Sequence, residues 1–504
     1  MKFLKKLLIF LIVILLIGYI FVKYQVRDRH PDYRVYQSIS TKKPGQIKAG
    51  FAAVSITPDI VDTWNDADGN AKYEPKKGDS YNDNNGNGKF DAIWIAGFSN
   101  KRPANGVHDP LWARTVVFDD GTSRIALVAL DAIGFFHDQV IEIRNKLPAD
   151  LGIDYCMVAS NHDHEAPDLI GIWGGSILKS GVNKKYMQQV IDGAVRSVEM
   201  AVKQLEPVTL HFAKDENNAA KLVKDTRPPI VKDPGIYLIQ ATKADGSTKG
   251  VLITWADHPE TLWSKNLLLT SDFPHYVRKG IEDKLGGTCV YFNGAVGGLM
   301  TTHPSLTVID PETGKELSEP TFEKAKAVGM TLANLAAIAL QHPQDSISEG
   351  SIKLQAQTFT IPFKNNMFRI AAIIGLMDRG MTGRWKVRTE MAAWTLGPAS
   401  FLTIPGEIYP EIINGGIEAP KGRDFEIMPQ EVPPLRSKMP GNFKMVFGLA
   451  NDELGYIIPK SEWDNKKPWM YDGKKEFYGE SNSMGPETAP IIYKEASELL
   501  SKLK

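Results

Sequence analysis

The sequence predicts an α/β protein in which mixed β-sheets are flanked by helices, and three observations carry that expectation. Short runs of branched and aromatic residues (IALVALDAI at 125–133, YCMVAS at 155–160, GVLITWA at 250–256, TCVYF at 288–292) read as buried strands. They alternate with longer stretches, Lys184 to Gln204, Asp272 to Leu285 and Glu323 to Leu340, whose apolar residues recur every three or four positions. Such spacing places one apolar stripe on a helix. After Lys48 no Gly/Ser- or Pro-rich linker breaks the alternation and no internal repeat is evident. Residues 47–504 are therefore expected to form one large unit rather than three.

At the amino terminus, Lys2, Lys5 and Lys6 precede sixteen uninterrupted apolar residues, Leu7 to Val22. No small-x-small cleavage site follows, so residues 1–26 read as an uncleaved membrane anchor, with a signal segment as the alternative. A polar linker is expected over 27–46. The large carboxy-terminal part is then exported and membrane-anchored, or secreted if the segment is cut.

Charge and cysteine content remove several functions. Lys+Arg and Asp+Glu both number 59, and the isoelectric point is near 7.2. No broad positive field exists to neutralise phosphates, which excludes general nucleic-acid binding. Two cysteines, Cys156 and Cys289, support neither a disulfide scaffold nor a thiolate-only zinc site, and read as small buried hydrophobes. Any metal must be held by His and oxygen ligands.

The stretch Asp62 to Asp91 is rich in Asp, Asn and Gly. Asp83, Asn85, Asn87, Gly88 and Asp91 follow a calcium-loop spacing, in which alternate side chains supply oxygens and Gly permits the turn. Trp94 stands where an EF-hand would have its bidentate Glu, so a true EF-hand fails. A second set, Asp66, Asp68, Asn70 and Glu74, completes that shell or holds its own ion. Calcium is expected here, against the plainer reading of a solvated surface insertion.

The strand YCMVAS runs into Asn161-His162-Asp163-His164-Glu165. Two histidines at i and i+2 on extended chain share a face, so both reach one metal or substrate. GVLITWA ends in Asp257-His258-Pro259-Glu260, and FLTIPGE at 401–407 delivers Glu407. Two His and one Glu from separate strand ends suit hydrolytic zinc with an open position.

These residues resemble the neutral ceramidases, zinc-dependent amidases acting on N-acylsphingosine. The resemblance runs in order through IKAGFAAVSITP at 47–58, GVHDPLWARTVVFDDG at 106–121, SNHDHEAP, WADHPETL, PGEIYPEI and LANDELGYIIPKSEW at 449–463. It implies His162, His258, Glu407 and Tyr456 as zinc ligands, His164 as acid or base, and Arg227 as a contact for the oxyanion or carboxylate of an acyl group. The implied reaction is cleavage of an amide in ceramide or a related N-acyl lipid by zinc-activated water. In YFNGAVGGLM at 291–300, Gly297 stands where the family has a serine, which puts serine-assisted chemistry in doubt. Asn293 and Gly297 are expected near substrate, the glycines permitting close approach of a ligand or merely a tight turn. The chain stops 48 residues after Tyr456, shorter than the family's added immunoglobulin-like domain needs. Rival readings are a non-catalytic surface binding protein on the same fold, and a zinc esterase or lactonase. MFRIAAIIGLM at 367–377 is apolar on nearly every face and reads as buried core, with a membrane-dipping or acyl-lining segment as the alternative.

Overall fold

The computed structural model describes residues 2–503. Three five-stranded sheets share one plan: an antiparallel meander of three strands, then a fourth strand parallel to the third. In the first sheet Lys48–Ser55, Trp112–Asp119 and Arg124–Leu130 form the meander, and Tyr155–Ser160 pairs parallel to Arg124–Leu130. In the second, Thr209–Asp215, Ile236–Thr242 and Thr248–Trp255 are followed by Thr288–Asn293. In the third, Ile352–Pro362, Lys386–Leu396 and Ala399–Thr403 are followed by Phe443–Phe447. A parallel neighbour requires a crossover. The helices His137–Lys146 and Phe273–Leu285 supply it in the first two sheets, and residues 404–442 in the third.

One apolar core joins the three sheets. Phe51 and Phe118 come from the first, Phe212 and Phe292 from the second, and Trp394, Phe401 and Phe447 from the third. Trp394 stacks on Phe401 at 4.8 Å between centroids, and Phe292 meets Phe447 at 4.8 Å. Each such ring buries a large apolar area, and offset or tilted ring pairs add about 0.5–1.5 kcal/mol beyond that burial. The long helix Lys184–Lys203 covers the outer face of the first sheet through Val190, Ala194 and Val198, and Asn183 caps it by accepting from Lys185 and Tyr186 N–H. Phe273–Leu285 and Phe322–Gln341 cover the second sheet, and Thr488–Ser501 the third.

The mixed α/β expectation holds, and the strands and helices read from the sequence agree with those formed to within a few residues. Cys156 and Cys289 are free and buried. Three expectations are corrected. Residues 27–46 are not a free linker: Tyr36–Ser40 pairs with the edge of the third sheet, and Asp28 takes both terminal nitrogens of Arg388 at 3.0 and 2.7 Å. The stretch 367–377 is not buried core, since its helix, Asn366–Ile373, buries Ala371 and Ala372 but exposes Met367 and Ile370. The third correction concerns repetition: the three sheets repeat one topology that the sequence does not display.

Candidate metal and active site

The shared topology explains why distant residues meet. Residues just beyond the carboxyl ends of the parallel strand pairs lie side by side, the usual place for a site in such sheets. His162 follows Tyr155–Ser160, His258 follows Thr248–Trp255, Glu407 follows Ala399–Thr403, and Tyr456 follows Phe443–Phe447. Glu407 and Tyr456 are further fixed as register partners in a two-residue parallel ladder.

The chain is not extended through the first motif, as the i, i+2 argument assumed. His162 takes a left-handed φ of 64°, uncommon for a residue with a Cβ. The turn nevertheless brings the His162 and His164 rings to 4.8 Å between centroids, and His162 and His258 to 4.8 Å. Nδ1 of His162 donates to the Ile133 carbonyl and Nδ1 of His258 to the Met300 carbonyl, each at 2.6 Å. Those bonds fix the tautomer and leave both Nε2 lone pairs facing the centre, the arrangement of metal-ligating imidazoles.

The donor spacing fits an ion. Glu407 Oε2 lies 3.3 Å from His162 Nε2 and 3.1 Å from His258 Nε2, and the Tyr456 hydroxyl lies 3.4 Å from His258 Nε2. Metal–ligand bonds of about 2.0–2.2 Å in a tetrahedron separate neighbouring ligand atoms by roughly 3.3–3.6 Å. A nitrogen of His164 also lies within 4.8 Å of donor atoms on His162 and His258.

Electrostatics separate the roles. Burial opposes ionisation of Glu407, but His162 and His258 outweigh it and hold the carboxyl well below the usual range. His164 is driven the other way, by burial and then by His162 and His258, so its imidazole is neutral. Neither of its ring nitrogens has a hydrogen-bond partner, although Glu260 Oε2 lies 3.5 Å from Nδ1. Glu260 also accepts from the Thr301 hydroxyl. Burial raises Glu165 to about 8 despite Arg102 beside it.

The pocket over these groups is a cavity of about 90 Å³ with an apolar wall that includes Phe136, Ile170, Trp173, Phe368, Met377 and Met484. His162, His164, Glu407 and Tyr456 sit among its lining residues. A polar, metal-competent floor beneath an apolar wall suits a substrate with one reactive polar group and a long hydrocarbon part.

A sequence model described as neutral/alkaline non-lysosomal ceramidase, N-terminal, matches residues 85–302. The neutral ceramidase of Pseudomonas aeruginosa is 24% identical over 293 residues, covering 53% of this chain and 42% of that protein. The chain thus spans less than half the length of that relative. The crystal structure of the Pseudomonas aeruginosa neutral ceramidase superposes with a TM-score of 0.64 at 16% identity, over 91% of this chain and 75% of that one. A structure titled ceramidase complexed with C2 gives 0.66 at 16% identity, over 90% and 75%. Residues 85–302 thus match the neutral/alkaline ceramidase model, and the fold is that of the solved neutral ceramidase.

Three of the expected site residues, Arg227, Asn293 and Gly297, are held mainly by contacts within the protein. The terminal nitrogens of Arg227 are engaged by acceptors, Glu480 at 2.8 and 2.7 Å and the Tyr478 and Glu462 carbonyls, while its buried Nε has no partner among the described residues. Its guanidinium anchors the segment carrying Tyr478, a pocket-lining residue, and presents no terminal donor to an acyl group. Asn293 is 1% exposed and ties strand ends together, donating to the Asn161 and Asp257 carbonyls and accepting from Asp257 N–H. Those carbonyls immediately precede His162 and His258, so Asn293 fixes the backbone that carries both imidazoles. Gly297 packs against protein: a Cβ there would lie 2.3 Å from the Tyr409 ring and 2.6 Å from the Ile408 carbonyl carbon. Its missing side chain makes room for the strand that carries Glu407. Glu260 gave only a weak signal, a carboxylate two residues after a strand-end histidine.

The Asp/Asn/Gly-rich insertion holds two copies of one loop. Asp66 Oδ1 and Oδ2 accept from Asn70 and Ala71 N–H, as Asp83 does from Asn87 and Gly88. Asn70 and Asn87 accept from Lys72 and Lys89 N–H, and Asn85 and Asn87 donate to Asp91 as Asn70 does to Asp68 and Glu74. Each loop follows one strand of the antiparallel pair Thr63–Asn65 and Ser80–Asn82, and an Asp preceding the opposite strand binds it. Asp79 accepts from Ala67 and Glu74, and Asp62 from Asn84 and Asp91. The D-x-[DN]-x-N-x-K spacing shared by 66–72 and 83–89 is the short repeat that went unread in the sequence. Asp66, Asp68 and Asp79 bring carboxylate oxygens within 4.8 Å of one another.

Proposed function

We propose that this protein is a zinc-dependent hydrolase that cleaves the amide bond of ceramide or a related N-acyl lipid. The observation that supports it most is the convergence of His162, His258, Glu407 and Tyr456, with Glu407 Oε2 3.3 and 3.1 Å from the two imidazoles and the Tyr456 hydroxyl 3.4 Å from His258, beside an apolar pocket. Zinc held by those four would supply Lewis acidity and an activated water near neutral pH. The chain's own groups do the rest. The Ile133 and Met300 carbonyls hold the two imidazoles in their ligating tautomer. The apolar wall takes the hydrocarbon part and excludes bulk water, which strengthens every polar interaction on the floor. His164, neutral with a bare Nε2, would take the proton released by the attacking water and then pass it to the departing amine. Glu260 beside Nδ1 favours the His164 tautomer that presents Nε2 to the pocket.

The two acidic loops are the proposed place for calcium, which takes oxygen ligands from such turns. Asp66, Asp68, Asn70 and Glu74 serve one loop, and Asp83, Asn85, Asn87 and Asp91 the other; Glu74 is meanwhile paired with Lys77 and Lys101. The amino-terminal helix Lys2–Gln25 is long and apolar enough to cross a membrane, and we read it as the anchor of an exported enzyme.

The test is fatty-acid release from N-acylsphingosine by the zinc-loaded full-length protein beside His162→Ala. Release by the parent alone supports the reading. Release from acyl esters but not amides moves the protein to the esterase reading, and no release from either substrate class supports a binding protein.

A further inference from the structure

The base of the amino-terminal helix is fastened to the same segment that walls the pocket. Gln25 packs on Gly375, where a Cβ would lie 2.3 Å from its Nε2, and Arg29 pairs with Asp378. Gly380 is backed by Arg27 O and Arg29 N, and Val26 packs into the core beside Phe368. Phe368 and Met377, from the same stretch, line the pocket.

The level at which the helix leaves a bilayer can be read from its side chains. Tyr19 and Tyr24 carry Lys23 and Arg27 over their rings, the aromatic and basic pairing found at membrane–water interfaces. Twenty-four residues at 1.5 Å make about 36 Å of helix, enough to span a core of about 30 Å and emerge at this belt. Gln25, one residue beyond the belt, touches Gly375, so Ile374 and the helix before it lie at the membrane surface.

Two segments that adjoin pocket-wall residues carry exposed apolar side chains. On the Asn366–Ile373 helix, Met367, Ile370 and Ile374 are 70%, 58% and 39% exposed and recur at i, i+3 and i+7 on one face. In the second, a tight turn closed by Lys179 N–H to Ser176 O presents Ile177 and Leu178 at its tip, 74% and 76% exposed. This turn follows Ile172 and Trp173 of the pocket wall, and Gly171 abuts the Leu376 carbonyl. Large exposed apolar side chains on neighbouring segments mark an interaction surface.

We propose that this surface, helix 366–374 and the Ser176–Lys179 turn, seats in the surface of the bilayer that the amino-terminal helix enters, so that the pocket opens onto the leaflet. The seating rests on the anchor reading, and the entry of acyl lipid into the pocket rests on the proposed activity.

The experiment uses full-length protein in phosphatidylcholine vesicles, with an environment-sensitive fluorophore on single cysteines and doxyl-labelled lipid as quencher. Labelling is selective because Cys156 and Cys289 are buried. Probes at Ile177→Cys and Met367→Cys should be quenched several-fold more than one at Ser247→Cys, which lies at the opposite end of strand Thr248–Trp255 from His258. Ile12→Cys reports whether the anchor is inserted. Quenching at Ile12 without quenching at 177 and 367 overturns the proposal, including the case where a second copy covers these two segments. Absence of quenching at Ile12 overturns the anchor reading and the proposal together. In parallel, Ile177→Asp/Leu178→Asp and Met367→Asp/Ile370→Asp should lower hydrolysis of vesicle-embedded N-acylsphingosine about tenfold while leaving a soluble short-chain N-acyl substrate unaffected. Equal loss on both substrates argues against the seating. If the parent cleaves neither, the activity reading fails while the quenching still decides the seating.

Discussion

Glu407 and Tyr456 stand directly opposite each other across a two-residue parallel ladder, with Glu407 Oε2 bridging toward both histidines. The ladder makes the carboxylate and the phenol one rigid unit supplied by two distant stretches of chain. Glu407→Ala should therefore reduce bound zinc to under a tenth of the parent's, because it removes the one ligand that contacts both imidazoles. Tyr456→Phe keeps the ladder and the ring and should weaken affinity by a smaller factor, roughly 10–100-fold. Metal analysis after dialysis against a graded chelator series measures both; equal zinc content in parent and Glu407→Ala would remove the proposed centre.

The proposed proton-transfer role of His164 is supported by its ring, neither nitrogen of which bonds to protein among the described residues. His164→Ala should retain zinc and lower amide turnover by about 10²–10⁴. An ester of the same acyl chain should suffer less, because an alkoxide leaves without prior protonation more readily than an amine. Turnover of the two substrates by parent and variant, normalised to zinc content, gives the comparison. Equal losses on amide and ester would assign His164 to the metal shell.

Restoring a hydroxyl at Gly297 should not restore the family's serine. The Cβ would strike Tyr409 and the Ile408 backbone, displacing the strand that carries Glu407. Gly297→Ser should destabilise by about 1–3 kcal/mol and lower zinc content with activity. Thermal unfolding and metal analysis check this together, and a more active variant would overturn it. Asn293→Ala should be comparable or worse, because it strands the Asn161 and Asp257 carbonyls at about 1–3 kcal/mol each.

The metal floor was legible because strand-end histidines and a Pro-Gly turn before Glu407 are local signals, and the order of motifs supplied Tyr456. The buried partners of Arg227 and Asn293 were not legible, because a sequence shows that a residue is polar but not which groups it bonds. Gly297 was legible as a close approach but not as an approach to Tyr409, since the two are joined only through packing. The threefold sheet plan was invisible because topology repeats without repeating side chains. The helix at 366–373 was misassigned because uniform apolarity does not distinguish core from a face turned toward lipid.

Glu390 and Arg144 tie the third sheet to the first. Arg144 binds both Glu390 oxygens at 2.8 Å, the Tyr155 hydroxyl donates to Glu390 at 2.8 Å, and Arg144 also reaches Tyr33 and Asn451. Burial alone would raise the Glu390 carboxyl, but Arg144 outweighs it and leaves it below its ordinary value. A depressed carboxyl contributes stability above the unfolded value of about 4.3 and loses it as pH falls through the lower folded value. Glu390→Gln leaves a buried guanidinium without its counter-charge and should cost about 3–5 kcal/mol at pH 7. The gap between parent and variant should narrow steadily below pH 4, where the parent also takes up a proton. Urea unfolding in mild detergent at pH 7, 5 and 3.5 follows it. A gap unchanged across that range would mean that shape, not charge, accounts for the cost.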